Sequence, residues 1–317
     1  MPERCTGGTI TRYGGEIIQI LTTGANGQVG WELARQGPEY GFDTIALNRT
    51  SLDVCDFQAV KNVINNSDAA MVINAAAFTN VDRAESEPEI AFMVNRDGPA
   101  NLAAACAGAG IPLVHISTDY VFDGQKINPY LESDPVSPLG AYGKSKTAGE
   151  SEIRARLREH IILRTAWVYG NHGHNFVKTM LRLGKAQEML RVVDDQVGCP
   201  TCAADIAETI LRLAAIYREG NSIYWGTYHY CGKGITTWYG FAQTIFEIAK
   251  NYDSFGLKEI VPITTEEYPL PAKRPANSVL DCASISKKFG IFPKPWQDSL
   301  LAMIKQLAKR SSWATPI

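Results

Sequence analysis

The chain has 317 residues, of which 45% are hydrophobic and 20% charged, with a formal net charge of −2 at pH 7. This length predicts one large domain with a smaller second one, and the charge gives no electrostatic reason to expect nucleic acid or an anionic membrane as a partner. No apolar run approaches the roughly 18 residues of a transmembrane helix, so we expect a soluble protein.

The first fifteen residues are rich in Gly, Thr and charge. They lack the apolar segment of a secretory signal, so the sequence favours a cytoplasmic protein. We interpret residues 1–15 as a flexible N-terminal extension or as the product of an upstream start site.

From residue 16 onward, short apolar runs alternate with stretches of helical periodicity. The predicted strands cover residues 17–21, 44–47, 71–73, 113–117 and 161–164. The predicted helices cover residues 56–65, 88–107 and 142–158. Strands that alternate with helices in this way predict an α/β fold with a Rossmann-type, doubly wound parallel sheet.

The pattern becomes less regular after Tyr169, where several prolines and one helix near residues 237–250 stand out. We assign residues 17–170 to the Rossmann domain and expect the chain to return to it around residues 190–218. Most of 171–317 is assigned to a smaller, less regular C-terminal domain.

A glycine-rich turn follows the first predicted strand. It reads Gly24-Ala25-Asn26-Gly27-Gln28-Val29-Gly30. Glycines at this spacing permit a tight turn and a close approach of backbone to a pyrophosphate, and the next helix directs its free N–H groups at the phosphates. We therefore expect a bound dinucleotide, with Gly24, Asn26, Gly27, Gln28 and Val29 in contact with it.

The ends of the next two strands supply further candidate cofactor contacts. Asn48 and Arg49 follow the second strand with no acidic residue beside them, which favours the 2′-phosphate of NADPH over NADH, although NADH stays possible. Asp56 and Phe57 are expected near the adenine, although Asp56 fits an ordinary helix cap equally well. The third strand ends in Asn74-Ala75-Ala76-Ala77, and Ala75, Ala76 and Ala77 are small enough for a flat cofactor to lie against them.

The catalytic candidates are Thr118, Tyr142 and Lys146. Tyr142 and Lys146 are four residues apart on a predicted helix, hence on one face. A free phenol has a pKa of about 10. We expect the ammonium group of Lys146, helped by the charge on an oxidised nicotinamide, to lower it so that Tyr142 can exchange a proton with a carbonyl oxygen. Thr118, at the end of a strand, can hydrogen-bond the same oxygen.

Together these motifs resemble the extended short-chain dehydrogenase/reductases, and more narrowly the dTDP-4-dehydrorhamnose reductases. The stretches that carry the resemblance include Gly27-Gln28-Val29-Gly30-Trp31, Val81-Asp82-Arg83-Ala84-Glu85, Ser117-Thr118-Asp119-Tyr120-Val121-Phe122, Arg164-Thr165-Ala166-Trp167-Val168-Tyr169, Asp195-Gln196-Val197-Gly198 and Arg274-Pro275-Ala276-Asn277. They fall in both predicted domains.

The resemblance implies NADPH-dependent reduction of the C4 ketone of dTDP-4-dehydro-β-L-rhamnose, which supplies dTDP-rhamnose for surface polysaccharide. The C-terminal domain would then bind the substrate, a dTDP-sugar. The family pattern places Asp119 and Trp167 at the sugar, and Asn175, Gln196 and Arg274 at the nucleotide and pyrophosphate. Core packing is the alternative for Trp167, and a solvated surface charge is the alternative for Arg274.

Other activities on this scaffold stay open. One alternative is a non-catalytic regulatory subunit, like the β subunit of methionine adenosyltransferase. A purely regulatory role would give no chemical reason for Thr118, Tyr142 and Lys146 to be present together. A 4-epimerase would retain tightly bound NAD. Sugar-nucleotide 4,6-dehydratases carry an Asp-Glu pair where this chain has Asp119-Tyr120, so the missing second carboxylate disfavours dehydration.

Two possible metal sites receive little support. Cys199 and Cys202 form the one C-x-x-C among seven cysteines, but no second pair or suitably spaced histidine accompanies it, which favours reduced thiols. Some members of the family dimerise through a magnesium site built from glutamates. Glu32 matches one such ligand, but Ala204 replaces another, with Asp205 next to it. We predict no metal, interpret Glu32 as a surface charge on a helix, and expect a monomer or a homodimer.

Overall fold

A six-stranded, all-parallel sheet forms the centre of the computed structural model, which describes residues 17–309. The predicted extension at residues 1–15 lies outside the described residues. The strands are β1 (Ile18–Thr23), β2 (Phe42–Leu47), β3 (Ala69–Asn74), β4 (Leu113–Thr118), β5 (His160–Thr165), β6 (Val168–Tyr169), β7 (Met189–Val193), β8 (Val197–Gly198), β9 (Thr201–Cys202), β10 (Gly226–His229), β11 (Thr236–Thr237) and β12 (Glu259–Ile263). The central sheet has the order β10-β5-β4-β3-β1-β2.

The helices fill the segments between the strands. They are α1 (Gln28–Gln36), α2 (Phe57–Asn65), α3 (Val81–Ser86), α4 (Pro88–Phe92), α5 (Gly98–Ala109), α6 (Ala141–Arg156), α7 (Phe176–Ala186), α8 (Ala203–Arg218), α9 (Trp238–Ala249), α10 (Ala283–Phe289) and α11 (Trp296–Lys309). Among residues 17–309, no helix is both long and apolar enough to cross a membrane.

Alternating side chains of the strands build two cores, one on each face of the sheet. Ile20 of β1 packs with α1 and α8, whereas Leu21 packs with α2, α5 and α6. This alternation follows from the two-residue period of a strand. The predicted doubly wound parallel sheet is therefore confirmed, with helices covering both faces.

Cross-strand register aligns three polar residues that later matter for the site. Thr23 of β1 is the partner of Asn74 in β3, and Asn74 is the partner of His115 in β4. The three residues thus form one row across adjacent strands. Their side chains lie on the face that α6 covers, because His115 and Asn74 alternate with residues of the opposite core.

The predicted helix over residues 88–107 is interrupted. A π-helical turn at Met93–Asp97 separates α4 from α5. Pro99 follows at once and has no N–H to continue the helical hydrogen bonds. Buried Asn95 bonds to both backbone groups of Phe78 and to the hydroxyl of Ser145, which ties the turn to α6.

Segments beyond residue 170 contribute both to the central sheet and to a separate cluster. Strand β10 pairs with β5, and α8 packs beside α1. Helices α7, α9 and α11 form their own core around Phe241, Phe246 and Leu300, beside the parallel pair β7–β12. The division of the chain at residue 170 stays a prediction.

Candidate active site

The glycine turn after β1 is held tightly against β3. Gly24 has φ +71°, and a Cβ there would lie 2.5 Å from the backbone of Ala75. A Cβ on Gly30 would lie 2.3 Å from the Gly24 carbonyl oxygen. Only glycine fits at either position. Helix α1 then begins at Gln28 with no acidic residue in its first turn, which leaves its N–H groups and positive dipole end suited to an anion.

A cavity of about 590 Å³ opens beside this turn, at the carboxyl ends of the parallel strands. Its lining includes the sequence-predicted residues Asn26, Gly27, Gln28, Val29, Ala75, Ala77, Thr118, Asp119, Tyr142, Lys146 and Trp167. This edge is where ligands bind in open α/β sheets. The structure thus brings the predicted catalytic residues and half of the predicted cofactor contacts to one cavity, whose size and glycine cradle fit a dinucleotide.

Thr118, Asp119 and Tyr142 form a hydrogen-bonded group in the cavity wall. The Thr118 hydroxyl donates to Asp119 Oδ1 at 3.0 Å and accepts from the backbone N–H of Tyr120. Burial raises the pKa of Asp119 to about 6, although the Ser278 and Thr118 hydroxyls oppose that rise. Asp119 Oδ2 is buried and has no hydrogen-bond partner among residues 17–309, so an unsatisfied acceptor lies in the cavity wall.

The phenol of Tyr142 lies in the first turn of α6 and contacts Tyr120 edge to face, with ring centroids 5.6 Å apart. Burial raises the pKa of Tyr142, a hydrogen bond with Thr118 lowers it in part, and the Asp119 charge raises it further. Lys146 is not among the groups that shift this pKa, and the lowering expected from the lysine together with an oxidised nicotinamide stays a prediction. Desolvation outweighs the hydrogen bond, and the Lys146 amine is bonded elsewhere.

Lys146 is buried one helical turn after Tyr142. Its Nζ lies 2.7 Å from the Ile116 carbonyl oxygen and 3.1 Å from His115 Nε2. Burial lowers the pKa of Lys146 to about 8, and the Glu150 carboxylate opposes that shift. His115 was not predicted from the sequence as a site residue. Its signal was the alternation in β4, which puts His115 on the face covered by α6.

Trp167 forms an aromatic wall together with Trp238 of α9. Their rings stack with centroids 3.6 Å apart and planes within 8°. Trp167 has φ +49°, a left-handed value that no other non-glycine residue of 17–309 shares. Buried Gln196 accepts from the Trp238 indole N–H at 3.2 Å and donates to Thr265. Gln196 therefore supports the wall and does not line the cavity.

Asn175 and Arg274 also lie behind the cavity lining. Asn175 caps α7 and donates to Gln28 Oε1 at 3.1 Å. Arg274 forms a bidentate pair with Asp82 of α3, at 2.9 and 2.7 Å, and is half-buried. The alternative of a solvated surface charge for Arg274 is therefore wrong, because its guanidinium is paired across 192 residues of sequence.

The predicted adenosine contacts lie outside the cavity lining. Asn48 Oδ1 accepts from Thr50 and Ser51 and so closes a local turn, while Arg49 is exposed. Asp56 caps α2 by accepting from the Ala59 N–H. Phe57 is exposed. Ala76 donates its N–H to Asn74 Oδ1. Their role toward a cofactor stays a prediction.

The interpretation of Glu32 as a surface charge is wrong. Its exposed fraction is 1%, and its carboxylate accepts from Arg35 at 2.9 Å and from Gln36 at 3.1 Å. Gln36 also donates to the Ala204 carbonyl, so these contacts join α1 to α8. Asp205 is bound by Lys294 and Ser299.

The two cysteines of the C-x-x-C motif, Cys199 and Cys202, do not lie together in the structure. Cys231 Sγ lies 3.7 Å from Cys282 Sγ and hydrogen-bonds Cys199, whereas Cys202 belongs to another core. The six cysteines of residues 17–309 are free thiols. In that same range, no group of three or more His, Cys, Asp or Glu side chains is arranged to hold a metal ion.

A buried ion pair that sequence reasoning missed lies under the catalytic helix. Glu150 of α6 accepts two hydrogen bonds from Arg164 of β5, at 2.8 and 2.6 Å, and a third from Ser117. Burial alone would raise the pKa of Glu150, but Arg164, Ser117 and Arg154 bring it to about 2. The charged pair thus fixes α6 against β5, and the Ser117 hydroxyl joins the same carboxylate to the end of β4.

Several known proteins are similar to this chain in sequence and in fold. The model of the RmlD substrate binding domain matches residues 18–309. A dTDP-4-dehydrorhamnose reductase of Aggregatibacter actinomycetemcomitans is 43% identical over 289 residues, which are 90% of this chain and 97% of that protein. A crystal structure of a dTDP-4-dehydrorhamnose reductase of Clostridium acetobutylicum superposes with a TM-score of 0.85 at 42% identity, covering 92% and 99% of the two chains. The Bacillus anthracis enzyme, crystallised with NADP, has a TM-score of 0.84 at 36% identity over 91% and 99%.

Proposed function

Because the chain belongs to the dTDP-4-dehydrorhamnose reductase family, we propose that it reduces the C4 ketone of dTDP-4-dehydro-β-L-rhamnose with NADPH, giving dTDP-β-L-rhamnose. One observation carries this proposal beyond family membership. Thr118, Tyr142 and Lys146 line the same cavity as the glycine turn, so a proton donor and a dinucleotide site meet at one place. This is the arrangement that ketone reduction requires.

The cofactor contacts follow from the cavity. The turn Gly24–Val29 and the first N–H groups of α1 would hold the pyrophosphate, and Ala75, Ala76 and Ala77 would lie against the flat rings. Exposed Arg49, with Asn48, is proposed to face the 2′-phosphate. When bound, NADPH supplies a hydride to the carbonyl carbon.

The chain's own residues then handle the proton. Tyr142 donates its phenolic proton to the C4 oxygen, and Thr118 hydrogen-bonds the same oxygen and orients it. The raised pKa of Tyr142 keeps the phenol protonated throughout the neutral range, so the donor is loaded before the ketone arrives. Lys146, one turn further along the same helix, is the basic residue of α6 that lines the cavity.

The sugar nucleotide is proposed to lie between the Thr118–Asp119 corner and the Trp167 wall. Asp119 lines the cavity as a potential acceptor for a sugar hydroxyl, and the indole of Trp167 offers an apolar face. We propose that Asn175, Gln196 and Arg274 act at the nucleotide end by holding Gln28, Trp238 and Asp82 in place.

A panel of 4-keto nucleotide sugars, assayed with NADPH and with NADH, tests the proposal. We expect oxidation of NADPH with dTDP-4-dehydrorhamnose and a product that NMR identifies as dTDP-rhamnose. No turnover with any member of the panel would overturn the reductase assignment. Stoichiometric NAD that co-purifies with the protein, together with C4 inversion, would instead identify an epimerase.

A further inference from the structure

A row of buried polar side chains runs under the cavity and ends at Lys146. The Thr23 hydroxyl donates to Asn74 Oδ1 at 2.7 Å. Asn74 Nδ2 lies 2.9 Å from His115 Nδ1, and His115 Nε2 lies 3.1 Å from Lys146 Nζ. The first three residues are cross-strand partners, so the register of the sheet sets their spacing.

The orientation of the Asn74 amide is fixed by a backbone donor. The N–H of Ala76 points at Asn74 Oδ1 from 3.1 Å, and a backbone N–H can only donate. The oxygen of Asn74 must therefore face Ala76 and Thr23, and its NH₂ group must face His115. Because this NH₂ group has no lone pair to offer, His115 Nδ1 is the acceptor in that contact.

This assignment decides which ring nitrogen carries the proton. His115 is fully buried, and burial keeps its pKa well below the ordinary value, so the ring is neutral. A neutral imidazole whose Nδ1 accepts carries its hydrogen on Nε2. That N–H points at Lys146 Nζ, which can accept it only as a neutral amine.

The surrounding charges are consistent with a lysine that loses its proton readily. Within the described chain, the carboxylate that raises the pKa of Lys146 is that of Glu150. Glu150 is already occupied by Arg164, Arg154 and Ser117. The other bond of the amine is donation to the neutral Ile116 carbonyl. Tyr142, a turn earlier on α6, is uncharged, and Asp119 lies beyond it at Thr118.

We propose that His115 is a positioning residue for Lys146: its Nε2–H donates to the amine once the lysine has lost its proton, and so holds the neutral amine beside the Ile116 carbonyl and lowers the proton affinity of Lys146. The effect on turnover rests on the proposed function. The tautomer and the proton affinity of the lysine do not, and both can be measured without substrate.

Nitrogen-15 NMR of the full-length protein, labelled in histidine, reads the tautomer directly. The His115 signals are those lost in His115→Phe. We expect a protonated Nε2 and a bare Nδ1 at pH 9, above the pKa of about 8 of Lys146, where the amine is neutral. A protonated Nδ1, or an imidazolium, overturns the proposal.

The pKa of Lys146, measured through a carbon-13 label at Cε, tests the proposal by the direction in which it changes. If His115 donates to the neutral amine, His115→Phe removes that stabilisation and raises the pKa of Lys146 by about half a unit or more. If His115 instead accepts from an ammonium, the same variant lowers the pKa, and the proposal fails. His160→Phe is the matched control. His160 is a buried histidine of the neighbouring strand β5, and its ring bonds the Leu157 carbonyl and not Lys146. Its loss should therefore leave the Lys146 titration unchanged.

A second variant covers the case in which His115→Phe does not fold. Asn74→Asp keeps the acceptor for Thr23 and Ala76 but presents His115 Nδ1 with a carboxylate oxygen. The expected result is a reversed tautomer, with the proton on Nδ1. An unchanged tautomer contradicts the proposal. A wild-type protein that shows the expected tautomer but no turnover would refute the proposed function and leave this inference standing.

Discussion

The indole rings of Trp167 and Trp238 stack 3.6 Å apart, so a helix of the C-terminal region fixes the wall of a cavity built on the central sheet. Trp167 holds a left-handed backbone conformation, and Gly198 is pressed against its ring, where a Cβ would approach to 2.4 Å. The wall is therefore set by packing from both sides.

Loss of the stacked ring should weaken substrate binding more than chemistry. We expect Trp238→Leu to raise KM for the sugar nucleotide about three- to tenfold, with kcat nearly unchanged. This factor corresponds to the free energy that one stacked aromatic pair contributes. Trp225→Leu is the matched control, because Trp225 packs near Tyr217 of α8, against the core of the central sheet, and does not line the cavity. Steady-state kinetics of both variants check this, and an equal effect of the two would contradict it.

Asp119 is expected to cost stability at neutral pH. Its pKa in the folded protein is raised to about 6, so the folded state binds more protons than the unfolded state between about pH 4 and pH 6. Stability contributed by this group therefore falls as pH rises through that window. Asp119→Asn should raise the free energy of unfolding by about 1–3 kcal/mol at pH 7 and by little at pH 4, while lowering kcat/KM.

Urea unfolding at the two pH values measures that effect. Asp123→Asn serves as the control, because Asp123 has a lowered pKa and accepts from Tyr130. A gain in stability from both variants would show that the effect does not come from burial of the Asp119 charge.

Glu150 should act on stability with the opposite sign. Its pKa in the folded protein is about 2, below its ordinary 4.5, so the stability that it contributes is present above pH 4.5 and is lost as pH falls toward 2. Glu150→Gln leaves Arg164 buried without its charge partner, and we expect a loss of about 3–5 kcal/mol at pH 7.

Acid unfolding curves check this expectation. The loss caused by Glu150→Gln should shrink as the pH falls from 4.5 toward 2. Glu152→Gln, which removes a partly exposed partner of Arg156 on the same helix, should cost less than about 1 kcal/mol. A loss from Glu150→Gln that does not change with pH would argue against the ion pair as its cause.

Arg49 should select between the two nicotinamide cofactors. Replacing this exposed cation by an acid, Arg49→Glu, is expected to lower the ratio of kcat/KM for NADPH to that for NADH by about tenfold. Lys61→Glu makes the same change of charge at an exposed position of α2 and should leave the ratio of kcat/KM for the two cofactors unaltered. An unaltered ratio in Arg49→Glu would remove Arg49 from cofactor selection.

Much of the sheet and the core of the site could be predicted from local pattern. Apolar runs located β1 to β5 within a few residues, and the spacing of Tyr142 and Lys146 placed both on one helix face. Strand β10 was missed, because its four residues include polar ones and their pairing depends on the distant β5. The π-helical turn was missed because a buried side chain, Asn95, holds it in place.

The electrostatics of the site could not be predicted, because they depend on burial and on partners far along the chain. Glu32 is buried where α1 meets α8, and Gln36, which donates to its carboxylate, also donates to the distant Ala204 carbonyl. Arg274 meets Asp82 only when α3 and the C-terminal region come together. The pKa of Tyr142 rises because desolvation outweighs its hydrogen bond, which no spacing of residues can reveal.

The most direct test of the account is turnover by Tyr142→Phe, measured as NADPH oxidation with dTDP-4-dehydrorhamnose alongside NADPH binding by fluorescence titration. The ring and its contact with Tyr120 persist in the variant, and only the proton donor is lost. We predict a kcat at least about 10²-fold lower, with the Kd for NADPH within about twofold of the wild type. A variant that turns over at the wild-type rate would show that the proton comes from another group.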